Sequence, residues 1–226
     1  MRRPRVGSVT TVEQTTATQR PRFRGVSHQV AFFVSLVLGP AMALSATTTM
    51  ARVVCGIYAA CLAALFGCSA MLHRGDWTPD ARVWLRRLDH STIFVFIAGT
   101  YTPIVALSLD HDQTVWILTA VWIGAALGVA VTMCWIHAPR WVASGCYLAV
   151  GWIAVLALPS LWSSLGSARF ALLACGAVLY TFGAVVYARK LPDPWPEVFG
   201  FHEVFHALVI AAVICHYALI WSLSHA

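Results

Sequence analysis

Charged residues divide this chain into apolar stretches of similar length. Residues 53–72, 90–109 and 170–188 carry no Asp, Glu, Lys or Arg, and longer uncharged stretches cover 25–51, 113–139 and 141–168. A last one follows Glu203 to the C-terminus. A helix needs about 20 apolar residues to cross a bilayer, so each stretch holds one crossing with little to spare. The pattern predicts helices near 26–46, 52–73, 87–108, 113–135, 141–162, 168–188 and 201–223. The expected fold class is all-α: an integral membrane bundle of seven transmembrane helices, forming one domain over residues 26–226. Residues 1–25 are polar and rich in Thr, Arg and Pro, and are expected to form a disordered basic tail. They do not read as a signal peptide, because the apolar stretch behind them is too long and no small-residue cleavage pattern stands out.

Composition supports this division. Apolar residues make up 59% of the chain and charged ones 11%, with a mean hydropathy of +0.74, where soluble domains carry about 25% charged residues. The distribution of positive charge then sets an expected orientation. With a cytoplasmic N-terminus, 13 of the 15 Lys and Arg residues fall on the inner side. Only Arg52 and Arg169 fall outside, together with Asp110 and Asp112, so the C-terminus is expected outside. The net charge of +6 therefore serves topology and contact with anionic lipid headgroups, and it argues against a nucleic-acid partner. Trp116, Trp135, Trp141, Trp162 and Trp221 fall near predicted helix ends, as an interfacial belt requires. The seven cysteines are scattered singly through apolar segments with no CxxC, and are expected to pack as small apolar residues.

Polar groups at membrane depth are costly and mark candidate function. They concentrate at Ser69 and His73 on the second predicted helix, Asp89 on the third, and His202, Glu203 and His206 on the seventh. The second helix runs inward and ends at His73; the third and seventh run outward and begin at Asp89 and His202. All six residues should lie at one depth, near the cytoplasmic face. His202 and His206, four apart, share a helix face, a spacing that lets both imidazoles reach one zinc ion at about 2.0–2.1 Å. His73 supplies a third nitrogen, and three protein ligands leave the fourth tetrahedral position that a catalytic zinc keeps open. Asp89 can orient a ligand histidine or accept a proton, and Ser69 shares the face of His73 one turn earlier. His202-Glu203-Val204-Phe205-His206 also fits the HExxH pattern of zinc proteases, so an intramembrane protease competes. His28, His90, His111, His137 and His225 read as interfacial or loop-borne. His216, about 15 Å further along the helix than His206, reads as a buried hydrogen-bonding residue.

Four segments resemble the hemolysin III family, the bacterial branch of the progestin and adiponectin receptor group. They are Arg22-Phe-Arg-Gly-Val-Ser-His-Gln, Ser69-Ala-Met-Leu-His-Arg, Arg87-Leu-Asp-His-Ser-Thr-Ile with Ile97-Ala-Gly-Thr-Tyr-Thr-Pro, and Phe199-Gly-Phe-His-Glu-Val-Phe-His. The resemblance spans about residues 22 to 222 and extends to a superfamily of seven-helix membrane hydrolases that includes alkaline ceramidases. It implies zinc held by His73, His202 and His206, with Asp89 and Ser69 as catalytic residues beside it, in a bacterial plasma membrane. Related receptors carry glutamine where this chain has Glu203, which argues against Glu203 as an indispensable base. Leu72 stands where many bacterial members have tyrosine. The expected function is zinc-dependent hydrolysis of a lipid-like amide or ester, with membrane lipids as partners. A receptor or sensor with structural zinc is the main alternative; a pore-forming cytolysin is another, although no amphipathic lytic segment or polar channel lining is visible. The sequence leaves the substrate and the oligomeric state open.

Overall fold

The computed structural model describes residues 20–226. Residues 1–19 of the expected tail lie outside the described residues. Among the described residues are seven α-helices: α1 (Val26–Ser45), α2 (Thr49–Arg74), α3 (Pro79–Ala106), α4 (His111–Cys134), α5 (Arg140–Gly151), α6 (Leu158–Arg189) and α7 (Phe201–Ser224). A short 3-10 segment, Ile153–Ala157, joins α5 to α6. Five stretches are long and apolar enough to cross a membrane: Val26–Ser45, Thr49–Arg74, His111–Cys134, Arg140–Arg189 and Phe201–Ser224. The architecture is that of a membrane helical bundle. α3 falls short of that measure because Asp80, Arg82, Arg86, Arg87 and Asp89 occupy its first three turns.

Local sequence accounts for the helix starts. The side chains of Thr48, Thr78 and Asp110 accept from the backbone N–H groups of Ala51 (3.1 Å), Ala81 (3.3 Å) and Gln113 (2.9 Å). Each satisfies one of the donors that a helix leaves open at its N-terminus. Proline at the first position of α3 needs no such partner.

The expected fifth helix, 141–162, requires one correction, because it is interrupted. α5 stops at Gly151, and helical structure resumes only at Leu158, after the 3-10 segment. The chain there reads Gly-Trp-Ile-Ala-Val-Leu-Ala, and no charge marks the change from α to 3-10 geometry. Within α6 the helix breaks at Gly166, whose φ of 69° is left-handed, a conformation that costs little only for glycine. That break falls inside the connection expected between 162 and 168.

Side-chain and backbone bonds gather the turns into two ends. At one end, the α1–α2 connection meets the end of α7 through Thr47 N to Ser224 O, 3.1 Å. There too Arg169 donates to Ser222 O at 2.8 Å, and the Ser164 hydroxyl donates to Ser108 O. At the other end, Arg22 N and Phe23 N donate to Glu197 O (3.0 Å) and Val198 O (3.1 Å). Residues 22 and 23, expected within the disordered tail, instead pair with the segment leading into α7. α2 packs between α1 and α3, with Cys55 and Tyr58 fully buried. A Cβ on Gly99 would lie 2.6 Å from Cys61 Sγ, so α3 meets α2 more closely than a larger residue permits, as small residues allow in lipid. The outer surface is apolar: Val37, Leu44, Leu127, Phe182 and Ile214 all point outward. The five tryptophans expected near helix ends are exposed as well.

Candidate metal centre

His73 stands on the last turn of α2, and His202 and His206 on the first two turns of α7. One ring nitrogen from each lies within 4.8 Å of the others. The Nε2 atoms of His202 and His73 are 3.1 Å apart, close to the roughly 3.3 Å edge of a tetrahedron with metal–nitrogen bonds of about 2.0–2.1 Å. The His202 and His206 rings have centroids 4.4 Å apart, as the i, i+4 spacing implies. His206 is almost completely buried, and its Nδ1 has no hydrogen-bond partner. A buried nitrogen without a partner costs free energy unless something else binds it. Three neutral imidazoles around one point form a donor set suited to zinc, so the residues present fit a metal ion.

Ser69 and Asp89 are both buried and line a cavity that His202 and His206 also line. Neither belongs to the nitrogen cluster. The Asp89 carboxyl faces the Ser69 hydroxyl, which shares a 2.8 Å hydrogen bond with His28 Nδ1.

His28 is the residue that sequence reading missed. Instead of lying at an interface, it is buried, and its ring stacks on that of His206 with centroids 3.6 Å apart and planes 8° from parallel. One side chain of α1 thus touches the histidine cluster through its ring and Ser69 through Nδ1. A signal was present: His28 begins an otherwise apolar stretch at the same depth as His73. His90 also departs from the interfacial reading, because it lines the cavity next to Asp89. His216 matches its expectation: it is buried, with Nε2 3.2 Å from Leu173 O.

Glu203 is committed elsewhere. Its Oε2 accepts from Gly200 N at 2.9 Å, and its Oε1 pairs with Arg24 Nε at 2.6 Å. Asp193 Oδ1 accepts from Phe201 N at 2.7 Å. Two carboxylates therefore close the N-terminus of α7, where negative charge also meets the positive end of the helix dipole. The protease arrangement, in which this glutamate activates water, has no geometric support. Gly25 completes this corner: with φ 77°, it lets the chain turn so near α2 that a Cβ would lie 2.5 Å from His73 Cβ.

The cavity encloses about 390 Å³, within the usual range for small-molecule sites. It runs between α3, α5, α6 and α7 from Asp89 and the histidines to Tyr180 and His216. Trp152, Val155 and Leu158 form part of its wall and are also exposed on the outside of the bundle.

Comparison with known proteins agrees with these features. The family model described as "Haemolysin-III related" matches residues 16–217. The "Hemolysin-3 homolog" of Bacillus subtilis (strain 168) is 32% identical over 126 residues, 56% of this chain and 56% of that protein. "Hemolysin-3" of Bacillus cereus is 28% identical over 163 residues, 72% of this chain and 71% of that protein. More distantly, the "Heptahelical transmembrane protein ADIPOR2" of Oryza sativa subsp. japonica is 28% identical over 158 residues, 62% of this chain and 68% of that protein. With a family match over most of its length and apolar helices throughout, this multi-pass membrane protein belongs to the hemolysin III family, with adiponectin-receptor-like proteins as distant relatives.

Proposed function

We propose that the chain is a zinc-dependent membrane hydrolase of a lipid-like amide or ester, with seven crossings, a cytoplasmic N-terminus and an outward C-terminus, in a bacterial plasma membrane. The observation that carries this reading is the convergence of three histidine nitrogens within 4.8 Å, two of them on residues, His202 and His206, that line a cavity together with a buried carboxylate, Asp89. The two Bacillus relatives support the bacterial setting, and the rice relative's printed name supports seven helices.

Bound zinc supplies Lewis acidity and lowers the pKa of water. His73, His202 and His206 hold the ion. His28, stacked on His206, fixes that ring's orientation and tethers Ser69. Asp89 accepts a proton on its carboxylate, and the Ser69 hydroxyl donates to oxygen as charge develops there. The apolar cavity walls exclude water and accept a lipid chain, which enters beside Trp152, Val155 and Leu158.

Metal content of the detergent-purified protein tests the site, wild type against His202→Ala/His206→Ala. About one zinc per chain, lost in the double variant, is expected. Turnover of long-chain lipid amides, abolished in Asp89→Asn with zinc retained, is the expected sign of catalysis. Zinc present but no turnover of any lipid amide or ester would favour a receptor or sensor, a reading supported by the likeness to an adiponectin receptor protein of Drosophila melanogaster. Dye release from liposomes would instead favour the cytolysin named in the Bacillus cereus relative.

A further inference from the structure

The cavity has a second polar end that the metal centre does not use. Along its length the hydroxyls of Thr100, Tyr101, Ser144 and Thr181 line it, and each donates to a backbone carbonyl: Phe96, Gly151, Ala184 and Ala177. Two buried groups do not find partners. They are Tyr180 Oη on α6 and His216 Nδ1 on α7, on rings whose centroids are 5.5 Å apart. His216 is only 6% exposed. The notch that seats it is specific, since a Cβ on Gly176 would overlap its Nε2. Nine in ten buried polar groups or more are partnered in folded proteins, and in hydrocarbon an orphan costs more still. Two such groups on one cavity wall call for a ligand.

The donor inventory narrows what that ligand presents. The Leu173 carbonyl can only accept, so His216 Nε2, 3.2 Å away, carries the proton and donates to it. A neutral imidazole with Nε2 protonated leaves Nδ1 as an acceptor. Tyr180 Oη brings a hydrogen it can donate. An acceptor beside a donor fits one hydroxyl, which donates to His216 Nδ1 and accepts from Tyr180 Oη. A ketone accepts from Tyr180 and leaves His216 Nδ1 bare; a methylene satisfies neither.

We propose that the cavity is a two-ended site whose ligand is a hydroxylated acyl lipid, with its head at the histidine cluster and an in-chain hydroxyl held between His216 and Tyr180. This deepens the hydrolase reading and rests on it for the position of the head. His206 and His216 are ten residues apart on α7, about 15 Å along the helix, which sets the distance from head to hydroxyl.

The test measures binding to the zinc-loaded, detergent-purified full chain of stearic acid, of hydroxystearic acids with the hydroxyl stepped along the chain, and of the matching oxostearic acids. Binding is expected to peak at the isomer whose hydroxyl lies about 15 Å from the carboxyl. That isomer should bind about tenfold more tightly than stearic acid, the effect of two hydrogen bonds, with the ketone well below it. Tyr180→Phe and His216→Phe should each remove most of the preference of the hydroxylated over the plain chain. Tyr180→Phe, which deletes one oxygen, decides the matter if His216→Phe does not fold. Equal affinity for hydroxylated and plain chains, a preference for the ketone, a preference surviving in Tyr180→Phe, or no binding of any member overturns the proposal. If the hydroxyl preference persists and does not change in His202→Ala/His206→Ala, the inner subsite stands and the placement of the head at the metal fails.

Discussion

Glu203 and His28 exchange the roles their sequence positions suggest. Glu203 sits inside an HExxH pattern yet closes its own helix and neutralises Arg24. Breaking a buried ion pair costs about 3–5 kcal/mol, so Glu203→Ala should lower thermal stability sharply. Glu203→Gln keeps a carbonyl for Gly200 N and should cost less. Both variants should retain zinc, and loss of metal from folded Glu203→Gln would place this carboxylate in the centre after all. His28, outside any motif of metal ligands, has the opposite weight. His28→Ala removes the ring against His206 and the partner of Ser69, and supporting residues of this kind typically change metal affinity by 10–100-fold. Competition with a graded series of chelators should show zinc affinity falling by at least tenfold. Sequence made His73, His202 and His206 legible because helix period and depth alone bring them together. It did not reveal His28 or Arg24, because each meets α7 across nearly the whole chain and no local period encodes that contact.

At the scale of elements, α1 to α4 and α7 begin and end within a few residues of expectation, except for the early start of α3. Charge marks the ends of most of these helices. The interruption between Gly151 and Leu158 was not legible, because apolar residues run through it without a break and hydropathy carries no information about α against 3-10 geometry. Gly166 is a sharper feature. Its positive φ lies in open space, with no atom near a would-be Cβ, so Gly166→Ala isolates backbone strain of about 1–3 kcal/mol. Thermal unfolding in detergent should register that loss with zinc content unchanged. Gly25→Ala combines the same backbone strain with a clash against His73. It should therefore lower both stability and zinc occupancy, and normal occupancy in a folded Gly25→Ala protein would show that the corner does not position His73.

For the whole molecule, the gathering of turns into two ends makes a topological claim that can be checked. One end carries Arg22, Arg24, Arg74 and Arg140; the other carries the α1–α2 and α3–α4 connections and the end of α7. In a cell, single cysteines placed at residues 190 and 226 in a cysteine-free background should react differently with an impermeant maleimide. Residue 226 should label from outside, and residue 190 only after the membrane is opened. Equal labelling, or the reverse, would require the bundle to be turned over.

The pairing of residues 22–23 with 197–198, and of His28 with His206, has a consequence for the protein's birth. α1 leaves the ribosome long before α7, yet His28 joins a histidine cluster that stays incomplete until His202 and His206 arrive. During synthesis α1 waits in the bilayer with a buried-type imidazole and an arginine that have no companions, while most of the chain is still being made. Capture of the proposed zinc ion therefore waits for α7. A chain truncated before Phe201 lacks His202 and His206 and should not retain the proposed zinc, so occupancy should distinguish molecules that carry α7 from those that do not.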